Sequence, residues 1–214
     1  MQLGQVVADV TWTFEVASEP KSDTAFLLLI AQGDTRAMHM LFTRHKLRVY
    51  RYALRLTNDD AAAQDLVNDV FLAVWRQAGR FEGRSQVSTW LLAIARNLAT
   101  AALRRRPTES LDSSVMDSVA DHADDPEVTV AKQQESSILA ACLNKLSPPH
   151  REIIDLVYYH EKSVTEAAEI IGIPRSTVKT RMFYARNEIA YLLKQCGVDL
   201  SRSRGSARTA CIAP

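Results

Sequence analysis

The stretch from residue 163 to residue 193 constrains the fold of this chain most, because it has the pattern of a helix-turn-helix. Residues 164–171 predict a short helix that ends at Gly172. Pro174 predicts a tight turn after it, since proline fixes φ and cannot continue the preceding helix. A second helix should follow, with Ser176 as its N-cap candidate. The pattern therefore predicts two helices joined by a turn.

The second helix of this motif is amphipathic and basic. Its apolar residues recur at helical spacing and predict one buried stripe, formed by Val178, Met182, Ala185, Ile189 and Leu192. The remaining faces carry Ser176, Lys179, Thr180, Arg181, Phe183, Tyr184 and Arg186. Such a helix fits the major groove of DNA, with its N-terminal residues at base edges and its cations at phosphates. An ordinary helix pair with a solvated basic face remains the alternative on this motif alone.

The composition limits the class of protein. With a net charge of only +1 over 214 residues, a nucleic-acid site requires an uneven distribution of charge. Cys142, Cys196 and Cys211 include no CxxC pair, which favours a reducing compartment over a zinc site or a disulfide framework. Cys142 shares an apolar helical face and is interpreted as a core residue, and the three cysteines indicate no sensor geometry. Without a signal sequence or a membrane span, we expect a cytoplasmic protein with no membrane insertion.

Changes in helical period and in charge divide the chain into five segments. Residues 1–22 lack a helical period and are interpreted as a mobile leader, whereas residues 23–106 predict a helical domain. Residues 107–131 contain seven acidic residues and no Lys or Arg, which is typical of a flexible acidic linker. The helical period returns over residues 132–196, and residues 197–214 are interpreted as a disordered tail. The predicted fold class is all-α, with two small helical domains joined by the linker.

One helix of the first domain, predicted over about residues 60–77, combines acidic residues with a large aromatic residue. Its apolar arc consists of Leu66, Val67, Val70, Phe71 and Val74. Another face is left to Asp65, Asn68, Asp69 and Trp75. A large aromatic residue among acids is typical of a partner surface. A well-buried helix with an acidic solvent side explains the composition equally well.

A polar loop over residues 81–86 precedes a helix predicted over about residues 87–105. Trp90 lies near the start of this helix, and cations follow at Arg96, Arg104, Arg105 and Arg106. This arrangement suits single-stranded DNA, because aromatic side chains stack on unpaired bases for about 1–3 kcal/mol each while arginines hold phosphates. The alternative is that Trp90 is a core residue and that the arginines only favour the helix C-terminus electrostatically.

In this order and spacing, the motifs resemble the extracytoplasmic-function (ECF) sigma factors of the sigma-70 family over about residues 23–196. The matching segments are 37–56, 65–71 with Trp75, and 81–97 for region 2, and 146–154 and 172–181 for region 4. The resemblance implies a protein that binds core RNA polymerase, recognises minus-35 and minus-10 promoter elements, melts the promoter and initiates transcription of a stress or envelope-response regulon. It also implies no enzymatic activity, no cofactor, and an anti-sigma factor as a partner.

The resemblance further implies a role for each group of residues. Polymerase contacts are expected at Asp65, Asn68, Asp69, Phe71 and Trp75. Contacts with the minus-10 element are expected at Glu82, Gly83, Arg84, Ser85, Gln86, Val87, Thr89, Trp90, Arg96, Asn97, Arg104, Arg105 and Arg106. Contacts with the minus-35 element are expected at Arg175, Ser176, Thr177, Lys179, Thr180, Arg181, Phe183, Tyr184 and Arg186.

A competing hypothesis is a free-standing dimeric helix-turn-helix transcriptional regulator. It predicts a homodimer on a palindromic site, as two-fold DNA binders require. The motifs of the first domain favour the sigma factor instead. An enzyme is disfavoured, because the five histidines are scattered and the chain has no Gly-rich phosphate loop or nucleophile motif.

Overall fold

A computed structural model describes residues 22–105 and 138–196. The first range contains α1 (Asp23–Ala31), α2 (Thr35–Thr57), α3 (Asp60–Gln77), a 3₁₀ turn (Ala78–Arg80) and α4 (Val87–Arg105). The second contains α5 (138–145 within the described range), α6 (Pro148–Ile154), a π-helical turn (Asp155–Tyr159), α7 (Val164–Ile171) and α8 (Arg175–Gln195). Neither range contains a strand, so the predicted all-α class is confirmed. The predictions of a leader (1–22, except its last residue), a linker and a tail lie outside the described residues.

Local capping explains the helix boundaries of the first domain. Asp34 caps α2, because its carboxylate accepts hydrogen bonds from the backbone N–H groups of Arg36 and Ala37 at 2.8 and 3.1 Å. Asn58 adopts a left-handed conformation with φ of 52° and ends α2. Asp59 then caps α3 by accepting from the N–H of Ala62 at 3.1 Å. The start at Asp60 agrees with the helix predicted over about residues 60–77.

The helix-turn-helix of the second domain is also confirmed, with one correction. Ser163 and Glu166 form a reciprocal capping box at the start of α7, and Gly172 ends it with φ of 72°. Ser176 was predicted as the N-cap of α8, but this prediction is wrong, since the helix begins at Arg175 and Pro174 takes the cap position two residues earlier. The extended backbone of Pro174 already makes the turn, so Ser176 lies within the helix, where its carbonyl accepts from the Thr180 hydroxyl at 3.0 Å.

The hydrophobic core runs through both domains. One continuous cluster joins residues such as Tyr52 and Leu92 of the first domain to Ile153, Leu156 and Val178 of the second, and α4 packs on α7. A smaller cluster lies between α5, α6 and α8 and consists of Leu143, Leu146, Ile154 and Ala185. The two domains therefore share a packed interface in this structure.

Two absences hold for the described part of the chain. No helix there is both long enough and apolar enough to cross a membrane. Within the same residues, His, Cys, Asp and Glu side chains form no group of three that could hold a metal ion.

Candidate polymerase and nucleic-acid interfaces

The exposed face of α3 forms a continuous stripe, which we call the α3 stripe: Asp65, Asn68, Asp69, Leu72 and Trp75. These residues recur at helical spacing, with three polar side chains toward the start of the helix and two exposed apolar ones toward its end. Trp75 is 38% exposed. Leu72 was missed in the sequence analysis, although its position one helical turn after Asn68 and Asp69 places it on the same face.

Phe71 does not share this surface. It is only 4% exposed, and its ring meets the ring of Phe42 edge-on with 4.8 Å between the centroids. The structure thus places Phe71 in the core between α2 and α3, with the apolar arc of α3. Four of the five predicted polymerase contacts lie together on the surface, and the fifth supports them from beneath.

The loop before α4 exposes polar side chains, and packed residues on either side of it hold it in position. Glu82, Gly83, Arg84 and Gln86 are exposed, and Ser85 is half-buried. Gly83 has φ of 70°, a conformation that favours glycine. Val87 is buried at the start of α4, and the half-buried ring of Trp90 packs against Phe81 with 5.3 Å between centroids. Both alternatives for Trp90 therefore apply in part, because the ring is packed on one side and open on the other.

The next residues of α4 are engaged by the second domain. Thr89 is fully buried, and its hydroxyl donates a hydrogen bond to Glu166 Oε1 at 2.7 Å. Lys162 is also buried, and its ammonium donates to Ser88 Oγ at 2.6 Å and to Glu166 Oε1 at 3.4 Å. The backbone N–H and the hydroxyl of Ser163 donate to the other carboxylate oxygen at 3.0 and 2.8 Å.

Burial and hydrogen bonding act in opposite directions on this contact. Burial alone raises the pKa of Glu166, but hydrogen bonds from Thr89 and Ser163 and the charge of Lys162 outweigh it and lower the pKa to about 2. Burial lowers the pKa of Lys162, and the carboxylate of Glu166 opposes that shift. Glu166 is thus held as an anion whose hydrogen-bond donors come from both domains.

A second carboxylate contacts the same face of the first domain. Glu152 Oε1 accepts hydrogen bonds from Arg96 Nε at 2.8 Å and from the hydroxyl of Tyr52 at 3.0 Å. Burial, followed by the charge of Glu152, raises the pKa of Tyr52 well above its ordinary value. Nearby, Arg55 pairs with Asp155 at 3.3 Å.

The rest of the predicted minus-10 set lies toward the end of α4. Asn97 and Arg104 are exposed, and Arg105 is the last residue of the helix. Arg106 lies outside the described residues. The structure therefore leaves the loop and the end of α4 open, while it engages Thr89 and Arg96 in the domain interface.

The N-terminal half of α8 is open to solvent. Arg175, Ser176, Lys179 and Thr180 are exposed, and Thr177 and Arg181 are half-exposed. Phe183 and Tyr184 are 60% and 56% exposed, although their rings contact each other. The predicted apolar stripe is confirmed on the opposite side, where Val178 and Ala185 are buried and Met182, Ile189 and Leu192 are partly buried.

Arg186 differs from the other cations of α8. Its Nε donates a hydrogen bond to the hydroxyl of Tyr158 at 2.8 Å, and its guanidinium lies over the Tyr158 ring. The side chain therefore packs toward the π-helical turn. It borders a cavity of about 320 Å³ between α5, α6, the turn and α8, which we call the α5–α8 groove. The groove is lined by Leu139, Leu143, Ile154, Tyr158, Tyr159, Arg186, Ile189, Ala190 and Leu193.

Two family models match the chain in this order. Sigma-70 region 2 matches residues 41–108, and Sigma-70 region 4 matches residues 136–189. The first contains α3, the loop and α4, and the second contains the helix-turn-helix and most of the α5–α8 groove.

Relatives and solved structures agree with this match. The chain is 30% identical to the ECF RNA polymerase sigma factor SigL of Mycobacterium tuberculosis over 78% of its length and 95% of SigL. It is also 30% identical to SigM of the same species over 85% of its length and 91% of SigM. The sigma factor RpoE from Bartonella quintana, solved with the anti-sigma factor NepR, is 30% identical with a TM-score of 0.56, over 73% of this chain and 96% of RpoE. CnrH, solved with the cytosolic domain of CnrY, is 25% identical with a TM-score of 0.59, over 81% of this chain and 97% of CnrH.

Two helical domains, a solvent-facing recognition helix and both region matches define a sigma-70 protein. The chain belongs to the extracytoplasmic-function class of the sigma-70 family of RNA polymerase sigma factors.

Proposed function

We propose that this chain binds core RNA polymerase, directs it to promoters with a minus-35 and a minus-10 element, and melts the promoter to initiate transcription. The observation that carries this proposal is the solvent-exposed N-terminal half of α8. This helix follows the capped helix α7 and a short turn, within the part of the chain that matches region 4. In a helix-turn-helix, the second helix enters the major groove while the first helix holds it in position, and α8 and α7 have this arrangement.

Two surfaces are proposed to bind polymerase. The α3 stripe ends on a large aromatic side chain, Trp75, and carries acidic and amide groups in the turns before it, which is a composition typical of an interface anchor. The α5–α8 groove offers an apolar cavity of about 320 Å³ on region 4. The resemblance to the ECF sigma factors implies that region 4 binds the flap of the polymerase. An apolar flap segment would fill this groove, with Tyr158 and Arg186 at its edge.

Two separate surfaces are proposed to read DNA. Ser176, Lys179, Thr180, Phe183 and Tyr184 face minus-35 bases, and the exposed Arg175 and half-exposed Arg181 hold phosphates. The loop over residues 82–86 captures an extruded minus-10 base, with the buried Val87 holding the start of α4 behind it and the open side of Trp90 next to it. Extruding a base costs a few kcal/mol, which contacts in the loop must return. Arg186 is proposed for phosphates only after it releases Tyr158.

Promoter binding on α4 requires the domain interface to open. Thr89 and Arg96 are assigned to the minus-10 strand, yet here they bind the carboxylates of Glu166 and Glu152. One side chain cannot hold a carboxylate and a phosphate with the same hydrogen atoms. We therefore infer that this structure is a closed form and that the promoter complex is open.

The chain acts as a specificity subunit rather than as an enzyme, and we propose that it works in the cytoplasm, where promoter DNA and polymerase meet. An anti-sigma factor is the proposed negative regulator, since both structural relatives named above were solved with such a regulator or with a cytosolic partner domain. We expect it to cover the α3 stripe and the recognition helix, and the regulated genes to be a stress or envelope-response regulon.

Run-off transcription on a library of genomic fragments tests the proposed function. Core polymerase with this chain should give discrete transcripts that share two upstream motifs, and core polymerase alone should not. Absence of such transcripts, together with a footprint of the free protein on a palindrome, would replace the sigma role by that of a dimeric regulator.

A further inference from the structure

Two cysteines that are distant in the sequence meet in the second domain. Cys142 lies on α5 and is 1% exposed, whereas Cys196 is the exposed C-cap residue of α8. Cys196 acts on the pKa of Cys142 through its charge and a side-chain hydrogen bond, so the two thiols are neighbours. The spacing of the cysteines in the sequence indicates no sensor geometry, but the fold brings these two side chains together. The interpretation of Cys142 as a core residue is confirmed by its burial.

The cysteine pair lies beside the α5–α8 groove. Leu139 and Leu143, which flank Cys142 on α5, line one wall of the groove, and Leu193, one turn before Cys196, lines the other. The backbone N–H of Cys196 donates to the carbonyl groups of Leu192 and Leu193 at 3.1 Å, so the last turn of α8 fixes its position. A covalent bond between the two sulfurs would therefore join both walls of the groove.

We propose that Cys142 and Cys196 form a reversible intramolecular disulfide when the protein meets a peroxide, and that this bond ties the end of α8 to α5. Two observations support this modification site: the two thiols are neighbours, and Cys196 is exposed while Cys142 is buried. It does not depend on the function proposed above.

The chemistry balances with hydrogen peroxide as the oxidant. The exposed Cys196 sulfur, as the thiolate, attacks one peroxide oxygen; the O–O bond breaks, water leaves after protonation, and Cys196 becomes a sulfenic acid. The Cys142 sulfur then attacks the Cys196 sulfur, the S–S bond forms, and the S–O bond breaks with release of a second water. The two thiols lose two electrons, which reduce the peroxide.

The two residues suit these two roles. Cys196 is accessible to a small oxidant. Burial, together with the neighbouring thiol of Cys196, raises the pKa of Cys142, which keeps it protonated and unreactive until a sulfenic acid forms beside it. Since the bond closes a long loop, it also restricts the unfolded chain, and we expect the oxidised domain to unfold several degrees higher than the reduced one.

Peptide mapping of the full chain tests the proposal directly. The reduced protein is treated with hydrogen peroxide at low protein concentration, remaining thiols are alkylated, and trypsin digestion follows without reductant. Each cysteine falls in its own tryptic peptide, at residues 133–145, 195–202 and 209–214. We expect a linked species of peptides 133–145 and 195–202 that dithiothreitol separates.

Variants make the result specific. Cys196→Ser should abolish the linked species and the rise in unfolding temperature, and because Cys196 is exposed this variant should fold. Cys211→Ser is the matched control and should change neither. Linkage to peptide 209–214, linkage between two copies, or oxidation of Cys196 beyond the sulfenic acid while Cys142 stays free would each overturn the proposal.

Discussion

The two surfaces that are expected to read DNA are in opposite states in this molecule. On α8, Lys179, Phe183 and Tyr184 are exposed, and the capped helix α7 holds α8 in position through the turn between them. On α4, Thr89 and Arg96 are held by Glu166 and Glu152 of the other domain. The minus-35 surface is therefore ready to bind, while the minus-10 surface is partly occupied.

The difference lies in what occupies each surface. A carboxylate offers an arginine or a hydroxyl the same kind of charged acceptor oxygen as a DNA phosphate does. The second domain thus satisfies polar groups of α4 that would otherwise be exposed to water or DNA. Opening the interface exchanges these carboxylates for phosphates, so its cost is smaller than that of exposing α4 without a ligand.

A covalent lock on the interface should have the largest effect. Arg55 and Tyr159 contact across the interface, with the guanidinium 4.7 Å from the ring centroid, and both are accessible enough for a reagent. In a background that lacks the native cysteines, we expect Arg55→Cys with Tyr159→Cys, joined by a short bismaleimide, to lose at least about 90% of run-off transcription, because α4 stays covered.

The same double variant without the reagent is the matched control, and its activity is the reference for the cross-linked protein, since both have lost Tyr159 from the α5–α8 groove and the Arg55–Asp155 pair. Each single cysteine variant should have the same activity with and without the reagent. Full activity of the cross-linked protein would mean that α4 reads the promoter while the domains remain packed.

Helix positions and ends were predictable from the sequence because they depend on neighbouring residues. Gly172 ends α7 as predicted, because a left-handed glycine stops a helix in any fold. The caps at Asp34, Asp59 and Ser163 act over the same short range, within one helical turn. The error at Ser176 arose because residue type alone favours serine as an N-cap, whereas the extended backbone of Pro174 starts the helix before Ser176 is reached.

The occupied state of α4 was not predictable by such local reasoning. Thr89 and Glu166 are far apart in the sequence, and helical period identifies an apolar face without identifying the face that covers it. The same limit explains the missed α5–α8 groove and the contact between Cys142 and Cys196. For Phe71 the residue type was not decisive, because a phenylalanine suits both a partner interface and a hydrophobic core. Only its packing against Phe42 shows that it belongs to the core.

Removing the charge of Glu166 should give the next largest effect. The pKa of Glu166 is about 2 in the folded chain against an ordinary value of 4.5. Its contribution is therefore complete above pH 4.5 and is lost as the pH falls from there toward 2. We expect Glu166→Gln to lower the free energy of unfolding by up to about 3 kcal/mol at pH 7, and by progressively less as the pH falls below about 4.5. Urea unfolding at several pH values measures this.

Two further variants separate the parts of this contact. Thr89→Val removes only the donor from the first domain, and Ser163→Ala removes only the local cap, each at a cost of about 1 kcal/mol. Only Thr89 belongs to the first domain. Thr89→Val should therefore also raise the fraction of molecules in which the two domains have separated, and Ser163→Ala should not. Equal stability of Glu166→Gln and the parent chain at pH 7 would contradict the favourable role of the anion.

Trp75→Ala tests a surface that is free in the closed form. Because Trp75 is exposed on the α3 stripe, we expect the variant to keep its helicity and to bind core polymerase about 30-fold more weakly, as for an interface anchor. Circular dichroism and a binding titration measure both quantities. Tyr191→Ala, which removes an exposed aromatic residue from α8, is the control and should bind as the parent does. A loss of helicity would assign Trp75 to packing instead.

Lys179→Ala should have the smallest effect and tests whether the open surface of α8 reads bases. Lys179 is exposed in the second turn of α8, where a side chain reaches base edges when the helix enters the major groove. A base contact predicts a loss of about tenfold in transcription from promoters with one minus-35 sequence and little loss from others. A phosphate contact predicts a uniform loss across promoters. It also predicts that the slope of log binding constant against log salt concentration falls by about one, since one fewer counterion is released. Lys194→Ala, at the far end of the same helix, removes the same charge away from the groove and should change neither quantity. A uniform loss would mean that the exposed helix positions the domain on DNA, and that sequence is read elsewhere on α8.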